Sequence, residues 1–156
     1  SHACARTAQG LYCWGNGTAG RLGSANTRNE IVPVQTGAPA SGVVALAAGD
    51  SHRCVVDGDG GVVCWGQGSV GRLGRANVLD IGDSETVPFD VAMVVGFSVR
   101  AIAVGGDHSC ALSIGGLVRC WGSSAAGALG LDPLEDIGDD EAPGEPAPVA
   151  VLQSPS

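Results

Sequence analysis

Lysine is absent from this 156-residue chain: its eight basic residues are all arginines, set against sixteen acidic residues, for a formal net charge of −8. Without a cluster of positive charge there is no electrostatic footprint for a phosphate backbone, so no nucleic-acid partner is expected. A lysine-free chain also cannot supply the GxxxxGK[ST] phosphate loop. Aromatic side chains are scarce, at 4%. Apolar runs are short; Val43 to Ala48 falls far below the roughly 20 residues that cross a bilayer as a helix, so no membrane insertion is expected. No charged-then-apolar leader stands at Ser1, and the expectation is that no secretory signal remains. Helical periodicity of useful length is almost missing. So is the Gly-x-Ser-x-Gly elbow of serine hydrolases.

What is present is glycine (26 residues), cysteine (six) and a repeat. SHACARTAQGLYCWGNGTAGRLG runs from Ser1 to Gly23, SHRCVVDGDGGVVCWGQGSVGRLG from Ser51 to Gly74, and HSCALSIGGLVRCWGSSAAGALG from His108 to Gly130. Three matched blocks in register define repeats 1–50, 51–107 and 108–156 within a single domain, 1–156. A hydrophobic content of 44% is ample for a packed core. Each unit reads as four strands. His-x-Cys opens strand a, a Gly-rich turn follows, and strand b ends in Cys-Trp-Gly, which is a hairpin signal. After Gly-x-Leu-Gly comes a Pro-marked strand c (Ile31 to Thr36, Val87 to Met93), placed at a sheet edge because Pro cannot donate to a ladder. Strand d is small and apolar, as in Val43 to Ala48 and Val99 to Val104. Small strands suit the crowded centre where radial sheets converge, the arrangement of a β-propeller.

Here the residues resemble a known family. Gly49 to Cys54 with Val62 to Gly66 and Gly71 to Gly74, and Gly105 to Leu112 with Val118 to Gly122 and Gly127 to Gly130, are similar to the repeats of the regulator of chromosome condensation. Arg21, Arg72 and Ala128 depart from the usual Gln, and long acidic insertions follow the second and third copies. The resemblance implies an all-β propeller with about three four-stranded blades in this chain, either a partial ring or one closed by other repeats or chains. It also implies a protein-binding platform, since relatives include exchange factors for small GTPases and inhibitors of secreted enzymes. It does not carry an activity across, because function resides in sites and not in folds.

The cysteines fall into pairs across each hairpin: Cys4 with Cys13, Cys54 with Cys64, Cys110 with Cys120. Residues opposed on antiparallel strands have Cα atoms about 4.5–5.5 Å apart, within disulfide range. Full pairing implies an oxidising compartment, hence an extracellular, periplasmic or cell-surface location. A Cys/Cys/His zinc site using His52, Cys54 and Cys64 is the competing reading, but it lacks an evident fourth ligand. His2, His52 and His108 lie in separate blades, and the resemblance implies a structural role, bridging loop and backbone between blades. Trp14, Trp65 and Trp121 recur at one repeat position and are expected to pack between adjacent blades.

Two insertions share a motif: Asp80 to Glu85 and Asp136 to Glu141. Asp136, Asp139, Asp140 and Glu141 are candidate Ca²⁺ ligands, although the EF-hand register is absent and a solvated acidic rim is favoured. No other cofactor is expected. The expectation is an exported, non-enzymatic protein-binding or scaffold module. Its partner would be another protein or further propeller repeats. The alternatives are a self-assembling unit that completes a ring or fibre between copies, and a lyase-like propeller enzyme with its site at the channel mouth. Arg-only, Ala/Gly/Asp-rich usage points to a GC-rich bacterial genome.

Overall fold

The computed structural model describes residues 1–38, 42–132 and 134–150, so the end of the expected third repeat lies outside the described residues. Nine strands form three antiparallel sheets. β1 (His2–Thr7), β2 (Gly10–Gly15) and β3 (Glu30–Gln35) make the first blade. β4 (Val43–Ala48), β5 (His52–Asp57) and β6 (Val62–Gly66) make the second, and β7 (Val99–Val104), β8 (His108–Ser113) and β9 (Val118–Gly122) the third. The only helical pieces among the described residues are three short 3-10 turns, at Thr18–Gly20, Ser69–Gly71 and Ala125–Gly127. The chain is an all-β propeller segment whose ring is open.

Local chemistry makes the hairpins. Asp57 ends β5 and its Oδ1 accepts the Asp59 and Gly61 N–H groups at 2.9 and 2.8 Å. Ser113 does the same for Leu117 at the end of β8. Thr7 accepts the Gln9 N–H in the first blade. Such side-chain-to-backbone turns fix the register of the returning strand. Each hairpin therefore aligns Cys4 with Cys13, Cys54 with Cys64 and Cys110 with Cys120 as directly opposed residues.

The strand rich in small residues joins the sheet that follows it in sequence: β4 pairs with β5, and β7 with β8. The sheets thus group residues 2–35, 43–66 and 99–122, cutting the chain before the d-type strand and not after it. The ends of the inner strands converge so closely that a Cβ on Gly49 would stand 2.0 Å from the Gly105 carbonyl oxygen. No side chain fits there.

Strand c departs from expectation in the second and third blades. In the first blade it is the continuous β3, paired with β2 from Gly15↔Glu30 to Tyr12↔Gln35. In the second, only two bridges survive, Gly66↔Ile81 and Val62↔Met93; in the third, Gly122↔Ile137 and Val118↔Val149. The segment Val87 to Met93 is therefore not an extended strand, and these blades hold three regular strands each. The acidic insertions that follow the second and third copies split strand c, leaving residues 82–92 and 138–148 outside the ladder. Pro88, Pro146 and Pro148 within these segments cannot donate to a ladder.

The core is continuous from blade to blade. Leu11, Leu22, Val55, Val56, Val62, Trp65, Leu73, Trp121 and Leu129 are all at most 2% exposed. The Leu of each Gly-x-Leu-Gly segment (Leu22, Leu73, Leu129) is buried and anchors its loop. No helix of the described residues is long and apolar enough to cross a membrane.

Candidate functional site

Function on a propeller lies at the junctions between blades or on the loops they hold. The second junction, between blades two and three, is sealed. His52 opens β5 and its Nε2 lies 2.8 Å from Ser109 Oγ on β8; both residues are 0% exposed. Ser109 Oγ also lies 3.6 Å from Cys54 Sγ. Burial, then the charges of Arg72, His108, Arg53 and His2, push the His52 imidazole down to about 3, so it is neutral at pH 7. Trp121 Nε1 donates to the Arg72 carbonyl at 3.1 Å. Its ring lies against Gly74, where a Cβ would meet Nε1 at 2.9 Å.

Arg72 ties this junction together. Its Nε donates to the Ser69 carbonyl at 2.8 Å, its Nη2 to Ser69 Oγ at 2.9 Å and its Nη1 to Ser51 Oγ at 2.6 Å. Nη1 also meets Asp107 Oδ1 of the next blade at 2.7 Å. Arg21 occupies the same repeat position and reaches the Asp50 carbonyl at 3.2 Å. The Arg that departs from the family's Gln is thus a clamp onto the Gly-Asp turn of the following blade. At the third copy Ala128 has no such reach. Sequence reasoning passes over this role, although the recurrence of Arg at both positions is a signal for it.

The first junction uses the same positions differently. Trp65 lies against Gly23, where a Cβ would meet Nε1 at 2.8 Å. Arg53 replaces Ser109 and sits over the Trp65 ring, 5.8 Å from its centroid. Burial, then Arg53, Arg21 and the Ser1 amino group, hold His2 down to about 4. Burial and then Arg21 bring Arg53 down to about 9. Trp14 is half-buried, whereas Trp65 and Trp121 are fully enclosed. His108 is half-buried against its own blade's Gly105.

The cysteines are joined as three disulfides, Cys4–Cys13, Cys54–Cys64 and Cys110–Cys120, with Cα separations of 4.1, 4.1 and 4.0 Å and no free thiol. Sulfurs joined in this way are not thiolate donors, so His52, Cys54 and Cys64 do not form a zinc set.

The acidic insertions are docking loops. Gly82 packs against Gly20 and Gly23 of the preceding blade, and Gly138 against Gly71 and Gly74. Contact is so close that a Cβ on Gly71, whose φ is +69°, would stand 2.4 Å from the Asp139 nitrogen. The carboxylates are engaged in this architecture. Asp80 Oδ1 accepts the Gly68 N–H at 2.9 Å and Asp136 Oδ1 the Ser124 N–H at 2.8 Å, as Asn29 does for Gly17. Glu85 and Glu141 accept the Gly82 and Gly138 N–H groups. Burial would raise Glu85, but the Gly82 N–H and Ser84 hydroxyl outweigh it and hold it below the usual range. Glu141 is raised by burial and by its hydrogen bond with Asp140. Ligand atoms of Asp139, Asp140 and Glu141 lie within 4.8 Å of one another, the one such group of three among the described residues. Asp136 and Glu141 each already commit one carboxylate oxygen to a backbone N–H group. Beside the group of three lies a cleft lined by Leu134, Glu135 and these carboxylates. Leu134 is 63% exposed, and Val78 and Leu79 at the matching loop of blade two are 53% and 68% exposed.

The regulator of chromosome condensation (RCC1) repeat model matches residues 10–56 and 59–112. The chain belongs to the RCC1 repeat family. It is 32% identical over 140 residues to the ultraviolet-B receptor UVR8 of Arabidopsis thaliana, covering 86% of this chain and 30% of the receptor. It is also 32% identical over 131 residues to the human E3 ubiquitin-protein ligase HERC2, covering 82% of this chain and 3% of the ligase. The chain thus spans a third or less of these curated relatives. Among solved structures, a chain in the crystal structure of Kap60 bound to yeast RCC1 (Prp20) superposes with a TM-score of 0.75 at 22% identity, over 90% of this chain and 34% of that one. Prp20p from Saccharomyces cerevisiae gives 0.74 at 23% identity, over 90% and 36%. These structural likenesses show the fold. Among the described residues the one hydrogen-bonded His–Ser pair, His52 with Ser109, is fully buried.

Proposed function

We propose that the chain is an exported, non-enzymatic protein-binding module that presents its loop rim to another protein. The carrying observation is that the loops beginning at Gly82 and Gly138 dock on the preceding blade, while Val78, Leu79 and Leu134, just ahead of them in sequence, stand exposed, Leu134 beside an acidic cluster. Rigid loops with apolar tips and a charged surround suit a protein partner carrying an apolar patch flanked by basic residues. The relatives support a binding or regulatory role: UVR8 is a receptor, and Prp20p has binding properties to Gsp1p and histones. Complete pairing of six cysteines supports export, and the Arg-only composition supports a bacterial source. The test is affinity capture from the medium of the source cells with the wild-type chain and with the Val78→Asp, Leu79→Asp, Leu134→Asp variant. A protein retained by the former, lost with the latter and released by salt is expected; equal retention by both overturns the reading. Calcium at Asp139, Asp140 and Glu141 would add a salt-independent rise in melting temperature on titration, and no rise removes it.

One observation favours assembly with further blades. Trp14 is half-buried at the position where Trp65 and Trp121 are covered by the preceding blade. A preceding repeat, from the same protein or a second copy, would cover it. Sedimentation of the 156-residue chain tests the second-copy form, and a monomer at every concentration ends it.

A further inference from the structure

The two junctions are built from the same repeat positions, yet at the second only His52 Nδ1 is left buried without a partner, whereas at the first a whole cluster of donors is. At the second, the His52, Ser109 and Trp121 positions pair as described: His52 with Ser109, Trp121 Nε1 with the Arg72 carbonyl. At the first, those positions hold His2, Arg53 and Trp65. Among the described residues, both His2 ring nitrogens, all three Arg53 guanidinium nitrogens and Trp65 Nε1 are buried without a hydrogen-bond partner. Arg53 is 0% exposed. The charge that acts on it is that of Arg21, a like charge. His2 in turn feels Arg53 and Arg21.

A guanidinium and an indole N–H only donate hydrogen bonds, and an imidazole beside them can donate too. A buried cation with no counter-charge is among the most destabilising arrangements a fold can hold. The complement of such a donor-only cluster is an acceptor-only ligand carrying negative charge. We propose that the first junction binds a small monovalent inorganic anion, of halide size, between the Arg53 guanidinium and the His2 imidazole. These nitrogens are all shielded from solvent, so an ion must part the side chains around them, and a spherical halide asks for less displacement than a tetrahedral oxyanion. A cleft lined by Ser1, His2, Gly49 and Asp50 borders His2. The second junction is an internal control: Ser109, neutral and paired, stands where Arg53 stands. Stacking of Arg53 on Trp65 without any ligand is the rival account.

The experiment compares thermal unfolding of the 156-residue chain in sodium chloride and in sodium gluconate at equal ionic strength and pH 7. Chloride should raise the melting temperature saturably, by about 3 °C or more relative to gluconate. Crystals grown in sodium bromide should show an anomalous peak beside Arg53 and none beside Ser109. Arg53→Met, which keeps an apolar stem on Trp65, should abolish the chloride-specific rise. If that variant does not fold, the wild-type melting curves and the bromide crystals still decide. Coincident curves in chloride and gluconate, a junction free of bromide, or a chloride-specific rise that survives in Arg53→Met would each overturn the proposal in favour of stacking alone.

Discussion

His52 and Ser109 meet at 2.8 Å across a junction that excludes water, and the imidazole is held neutral with its pKa down to about 3. A folded-state pKa below the ordinary 6.5 means that the unfolded chain binds the proton more readily. The stability contributed by neutral His52 is therefore fully present above pH 6.5 and lost as pH falls from 6.5 towards 3. The loss runs at about 1.4 kcal/mol per pH unit within that window. His2, held at about 4, adds in the same direction between 6.5 and 4. Urea midpoints at pH 7, 5.5 and 4.5 should fall progressively in the wild type and less steeply in His52→Gln, whose amide can still reach Ser109. Equal slopes would remove His52 as the titrating group.

The Arg72 clamp joins a buried residue to an exposed one: Arg72 is 7% exposed at its side chain and Asp107 is 62%. Asp107 can return to water when its partner is removed, so the ion pair itself contributes below about 1 kcal/mol. The hydrogen bonds to Ser51 and Ser69 are shielded, and their loss leaves polar groups unsatisfied. Arg72→Ala should therefore cost about 1–3 kcal/mol and Asp107→Ala markedly less, read as shifts in urea midpoint. Equal costs would show that the pair, and not the buried bonds, holds the junction.

Much of this architecture can be read from residue order, and the remainder fails for one physical reason. Strands Val43–Ala48 and Val99–Val104 match the expected segments because short apolar runs bounded by Gly declare themselves locally. The Cys54↔Cys64 register is legible because the turn length and the two-residue period of a strand determine it together. Strand c is not legible beyond the first blade. Ile81 and Met93 both pair with β6, but the segment between them leaves the sheet to dock on Gly20, a contact no local pattern encodes. The same holds for Ser109, whose partner His52 lies in another blade, and for Asp80, whose carboxylate caps Gly68 instead of facing solvent. Relations between blades depend on which faces meet, and that is set by the packed whole.

Backbone strain recurs at two repeat positions, at Ala25 and Ala76 and, in all three copies, a few residues earlier. Ala19, Val70 and Ala126 all adopt left-handed geometry, with φ of 57°, 55° and 56°. An L-residue there costs about 1–2 kcal/mol, more for a β-branched side chain, and Asn tolerates the region better. Val70→Asn should raise the melting temperature, and Ala126→Gly, at an exposed site, should raise it by less because glycine adds unfolded-state entropy. Gly71→Ala should do the opposite, since a Cβ there meets the Asp139 nitrogen. A neutral or negative result for Val70→Asn would mean that the half-buried Val70 side chain contributes more packing than its backbone loses.

The three disulfides should differ in their resistance to reduction because the junctions cover them unequally. Cys54 and Cys64 are both 0% exposed, enclosed between two neighbouring blades. Cys110 is half-buried on a face that no other blade among the described residues covers, and Cys4 is half-buried although its partner Cys13 is 0% exposed. A thiolate must reach a sulfur along the bond axis to exchange with it, so access decides the order. Under native conditions with mild reductant, alkylation followed by mass spectrometry should label Cys4–Cys13 and Cys110–Cys120 well before Cys54–Cys64. Opening the middle bridge should then coincide with global unfolding, since closing its ten-residue loop contributes ~2.7 kcal/mol in the chain-entropy account and exposing it parts two blades. Simultaneous labelling of all three under conditions that leave the fold intact would show that the junction around Cys54 opens on its own, contrary to the sealed packing of His52 against Ser109.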